Sequence, residues 1–223
     1  MHIRSYEEWL VYVFDHPVDH LMPVWYFDLN ADLWAVQPVA VSYLTRLYED
    51  PVAATAPYTD AQISQGLWFL LSNACSEHMF MLLEPTIPWP ERQRCVEAMF
   101  NVFERLFEPR CTPTLSHLDE PDANPLNLTC YMWFDLMPIW GGVKDDPVTS
   151  NRQLGPAMID LMCRILDLES VACRESALHG LGHWQTYYPE PVNTILDAFL
   201  KQHPDLRPDL LAYARGARGG CVL

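Results

Sequence analysis

Residues 170–202, SVACRESALHGLGHWQTYYPEPVNTILDAFLKQ, hold two helical periods separated by a short turn. Ser170 offers a hydroxyl to the free N–H groups of a first helix. Pro191 suits the first turn of a second, where its missing N–H costs nothing. Ala177, Leu178, Leu181 and Trp184 recur at helical spacing, and so do Val192, Ile195, Leu196 and Phe199. Neither stripe can be hidden by its own pair alone, so the pair is expected to stack on further helices.

The rest of the chain offers those helices. Ser5-x-x-Glu8, Thr59-x-x-Gln62 and Ser150-x-x-Gln153 are capping-box patterns, predicting helices over about 6–14 and 60–74 and one that ends near 167. A helix is expected over about 36–49, stopping before Pro51, with 50–58 as a loop. Residues 76–84 either continue the preceding helix or form a short one. Pro90 opens a helix to about 107, followed by a polar loop to 124. Asn124-Pro125 restarts a helix to about Trp140, ending at Gly141-Gly142, and a last helix spans about 208–218. No segment combines strand periodicity with hairpin turn chemistry.

Three of these helices share a pattern at an offset of 59 residues. Ala40, Val41, Leu44, Leu47 and Tyr48 align with Met99, Phe100, Phe103, Leu106 and Phe107, and with Met158, Ile159, Met162, Ile165 and Leu166. Arg46, Arg105 and Arg164 fall in register beside them, which points to a repeated unit. Residues 170–202 resemble a HEAT repeat, in ESALHGLGHW followed by PVNTILDAFL. The resemblance implies an all-α fold, a short α-solenoid of antiparallel helix pairs (a HEAT- or armadillo-like superhelix), spanning 1–223 as one domain. It implies a fold and no particular function.

Composition narrows the function. Half of the 223 residues are hydrophobic, and 14 Lys and Arg stand against 29 Asp and Glu, for a net charge of −15. Such a chain is poorly suited to neutralise phosphates or to lie on an anionic membrane, so no nucleic acid and no membrane are expected as partners. Seven dispersed cysteines without a CxxC pair, and a start (MHIRSYEEWL) without a signal-type cleavage site, give a cytoplasmic expectation.

Glu175, His179 and His183 follow one another at i, i+4 and i+8, placing two imidazoles and a carboxylate on one helix face. Imidazoles at i and i+4 can share a metal ion. The bland alternative is a polar face whose histidines meet neighbouring helices or solvent. Gly180 and Gly182 fit close helix packing, and Glu77-His78 read as surface or loop residues. No GxSxG, P-loop or GxGxxG is present.

The expectation is therefore a non-enzymatic, acidic helical-repeat module that binds another protein of basic charge, without a cofactor. The alternative is a metal-binding protein or metalloenzyme using a divalent transition metal on Glu175, His179 and His183. A lesser one is a helical-repeat nucleic-acid enzyme.

Overall fold

A computed structural model of the chain describes residues 5–18, 23–27 and 39–222. Among these residues every regular element is helical. Residues 36–38 of the expected second helix lie outside the described residues.

Helix α1 spans Tyr6–Phe14, and its N-cap Ser5 accepts the Glu8 N–H. Helix α2 (Val39–Glu49) is followed at once by a short α3 (Pro51–Thr55) where the sequence suggests a loop. Pro51 ends one helix and opens the next, because its fixed φ suits a first turn. Thr59 and Gln62 form the complete reciprocal capping box at the start of α4 (Asp60–Leu71). A 3₁₀ segment, His78–Leu83, leads to α5 (Trp89–Val102). Its axis continues through a π-helical turn, Phe103–Phe107, into α6 (Glu108–Arg110). The wide turn lies just ahead of Pro109, whose ring would crowd the Arg105 carbonyl in a regular α-helix.

The helix expected from 124 to 140 is broken into α7 (Leu126–Tyr131) and α8 (Trp133–Leu136). It ends four residues early because Met137 precedes Pro138 and takes an extended conformation. Gly141–Asp145 then forms a 3₁₀ turn of its own. Ser150 does not act as a cap. It is itself helical, and a 3₁₀ turn, Asn151–Gln153, runs directly into α9 (Leu154–Leu166). Helices α10 (Val171–Trp184), α11 (Pro189–Gln202) and α12 (Pro208–Arg218) complete the chain. Ser170 caps α10 as the sequence implies, whereas α11 starts at Pro189, two residues before Pro191.

Helix α1 packs on α4, and α4 on α7. Helix α2 packs on α5, and α5 on α9. Both files meet α10, which is also covered by α12 and α11. The three arginines at the 59-residue offset each reach back to an earlier helix. The Arg46 guanidinium lies 4.0 Å over the Tyr6 ring and that of Arg164 lies 4.2 Å over Phe100. Arg105 donates to the Glu49 carbonyl and the Asp50 carboxylate at 3.0 and 3.1 Å.

Helix α10 departs most from its reading as an amphipathic helix with one polar face. Every residue from Ala172 to Gly182 is buried, as is Trp184, so it is enclosed on all sides. Small residues let its neighbours approach. A side chain at position 180 would run into Met162 and Phe134, and one at 182 into Val222 and the backbone of Ala217. The polar residues of the helix other than His183 are therefore buried among partners rather than presented to water.

Candidate functional site

Arg174, Glu175 and His179 enter the core from α10, and each has a defined partner. Arg174 donates from Nε to the Leu166 carbonyl at 3.2 Å. Glu175, fully buried, accepts the backbone N–H groups of Ser116 and His117, both at 2.9 Å, and its Oε1 lies 2.6 Å from His117 Nδ1. Both of its carboxylate oxygens are thus taken up by the 3₁₀ turn Ser116–Leu118, which the 108–124 connection brings against α10. Burying a carboxylate without such partners would cost several kcal/mol, on the order of the full desolvation penalty.

One turn further on, His179 is also buried. Its Nδ1 lies 2.7 Å from the Tyr213 hydroxyl on α12. Tyr213 in turn lies 3.2 Å from the Tyr131 hydroxyl on α7, and its ring stacks on His117 with centroids 4.0 Å apart. Burial, followed by the nearby positive charges available to His183 and His117, lowers the His179 pKa to about 3, so the ring is neutral near pH 7. A hydroxyl that accepts from Nδ1–H fixes the tautomer and leaves the Nε2 lone pair free.

That lone pair points at His183. The two Nε2 atoms are 3.2 Å apart, and Asp135 Oδ1 on α8 lies 3.7 Å from His183 Nε2. Donor atoms of Asp135, His179 and His183 all fall within 4.8 Å of one another, the one such group of metal-capable residues among the described residues. His183 and Asp135 are exposed while His179 is buried, so the group has a protein-facing side and a solvent-facing side.

At metal–nitrogen distances of about 2.0–2.1 Å, two nitrogens 3.2 Å apart subtend about 100° at a shared ion. This is close to tetrahedral, and a carboxylate supplies a third ligand.

The sequence singled out Glu175, His179 and His183, and the structure brings only the two histidines together. Glu175 lies at the other end of the His117–Tyr213–His179 chain, two turns from His183. Asp135 takes the carboxylate place, and it carried no sequence signal because it comes from a different helix, 44 residues upstream of His179. Tyr213 and His117 are likewise visible only in the fold. His78, read as a surface or loop residue, is buried: the indole N–H of Trp9 donates to its Nε2 at 3.0 Å, and its Nδ1 lies 3.1 Å from Ser76 Oγ.

No family model matches the sequence, and no curated protein and no solved structure is significantly similar to it. No helix among the described residues is long and apolar enough to cross a membrane.

Proposed function

We propose that this chain binds a divalent transition-metal ion through Asp135 Oδ1, His179 Nε2 and His183 Nε2. The observation that carries this reading is the facing pair of imidazole nitrogens, 3.2 Å apart, with a carboxylate beside them. Two histidines and a carboxylate with positions left open are the ligand set of catalytic rather than structural zinc sites, and of non-haem iron centres. The open positions face solvent, on the side of Asp135 and His183. An ion held there would polarise a bound water or a substrate oxygen. Tyr213 would hold the His179 ring in the metal-binding tautomer.

The test is metal content of protein purified without a histidine tag, followed by calorimetric titration with Zn(II), Fe(II) and Mn(II). One equivalent bound by the wild type and lost in His183→Ala supports the site. No binding of any of the three ions would overturn it.

We infer also that the two helix files form a short HEAT-like stack. The successive packing of α2, α5 and α9 supports this, as do the backward-reaching contacts of Arg46, Arg105 and Arg164. On such a stack the charge of −15 supports a second reading, an acidic scaffold for a basic protein. Seven free thiols accord with a reducing, cytoplasmic setting. A scaffold of this kind would form a complex that weakens steeply with salt, measured by sedimentation with a basic protein probe such as histone H1. A salt-independent result, or no complex, removes this second reading.

A further inference from the structure

Two segments run side by side away from the histidine pair. At their start Asp135 meets His183, with Oδ1 3.7 Å from Nε2. Five residues after Asp135 and four after His183, Trp140 meets Tyr187, their rings edge-to-face with centroids 5.1 Å apart. The chain beyond α10 keeps its helical turn over that distance: the N–H groups of Tyr187 and Tyr188 both donate to the Trp184 carbonyl at 3.0 Å. Residues four apart on such a turn leave on the same side, about 6 Å apart along the axis. The aromatic pair therefore lies one turn from the pair that would hold the ion.

Trp140 is the one exposed tryptophan among the described residues, with 57% of its surface in water. Its ring is nonetheless fixed. It folds back over Gly142, where a side chain would collide with it, and the Tyr187 ring lies in the same way over Gly141. The two glycines let the backbone pass close under both rings. Tyr187 is also tied through its carbonyl, which accepts from Lys144 Nζ at 3.1 Å. The result is an indole face that is rigid before anything covers it, with an ammonium group fixed beside the pair. Covering such a face loses little conformational freedom.

An indole face is covered best by another planar ring. The charges around it select an anion. A divalent ion on one carboxylate and two neutral imidazoles keeps a net positive charge, and Lys144 adds a second; a cation stacked on Trp140 would be repelled by both. Resting on the metal-binding reading above, we propose that this site takes an aromatic carboxylate, with a carboxylate oxygen in an open position of the ion and the ring against Trp140. No bond within the ligand breaks on binding, and the carboxylate displaces a water from the ion.

The experiment uses the full chain loaded with Co(II), whose visible absorption reports the ligands of the ion. It is titrated with acetate, cyclohexanecarboxylate and benzoate, and the benzoate titration is repeated by calorimetry on metal-free protein. Benzoate is expected to bind tightest, about tenfold tighter than acetate. Trp140→Leu, a change at an exposed position, should weaken benzoate by about two- to tenfold and leave acetate affinity and Co(II) stoichiometry unchanged. Equal benzoate affinity in Trp140→Leu overturns the proposal, as does cyclohexanecarboxylate binding as well as benzoate. Undiminished benzoate binding to the metal-free chain also overturns it, while the metal site itself stands. Absence of Co(II) binding removes the metal reading and this inference with it.

Discussion

The Nε2 atoms of His179 and His183 face each other across 3.2 Å, one ring buried beneath α12 and the other at the surface. Two neutral imidazoles can satisfy that contact by sharing one proton. A metal ion satisfies it with both lone pairs, and Asp135 stands ready as counter-charge.

The two carboxylates associated with these histidines are expected to behave differently. Asp135→Asn should lower metal affinity by about 10–100-fold while leaving stability little changed, because its side chain is exposed. Glu175→Gln should keep one equivalent of metal but cost roughly 1.5–3 kcal/mol of stability, since the buried carboxylate accepts two N–H groups and faces His117. Calorimetric metal titration and urea unfolding of the two variants separate the roles. A loss of metal in Glu175→Gln at unchanged stability would assign Glu175 as the ligand.

Tyr213→Phe removes the hydroxyl that meets His179 Nδ1 at 2.7 Å. With the tautomer no longer held, metal affinity should fall by about 10–100-fold although every ligand remains. The pH dependence of Zn(II) binding is the readout that a purely structural defect would not shift.

Two buried histidines should make the metal-free protein acid-sensitive well above the carboxylate range. Burial lowers the His78 pKa to about 4, and burial with its charged neighbours lowers that of His179 to about 3. In the unfolded chain both titrate near about 6.5. Above that pH neither state binds the proton and no stability is lost. Below it the unfolded state takes up protons that the native state refuses, so stability declines by about 1.4 kcal/mol per pH unit for each histidine. Both contribute between about 6.5 and 4, and His179 alone further down to about 3. Urea midpoints at pH 7, 6 and 5 should show the decline, and His78→Asn should roughly halve its slope.

Gly180→Ala should destabilise the fold by about 1–3 kcal/mol, because the added methyl meets Met162 Sδ at 2.6 Å and the Phe134 ring at 2.9 Å. Thermal unfolding checks it, with Met162→Ala as the compensating second change. An unaltered or raised melting temperature in Gly180→Ala would show that the site has room.

The sequence by itself determined the helices and most of their ends. Capping chemistry at Ser5, Thr59 and Ser170 is local, set by a side chain and an N–H two or three residues away, and it is found where the pattern places it. Ser150 shows the limit, since the same pattern makes no cap where the serine itself takes helical rather than extended dihedrals. The helical stripes likewise marked buried faces, from Leu44 through Met99 to Ile165. The i, i+4 spacing of His179 and His183 also carried over directly, because a rise of about 6 Å per four residues leaves two imidazoles within reach of each other.

The tertiary structure alone decided that α10 is enclosed from Ala172 to Gly182, so that its polar face, His183 apart, became an interior network. It also decided which carboxylate joins the histidines. Eight residues of helix separate Glu175 from His183 by about 12 Å along the axis and about 80° around it, too far to share one ion. The vacant side of the pair is met instead by Asp135, which only the breaks in the helix at Met132 and Pro138 and the packing of α8 on α10 bring there. Periodicity reports which face of a helix a residue occupies. It carries no information about which distant segment will pack against that face.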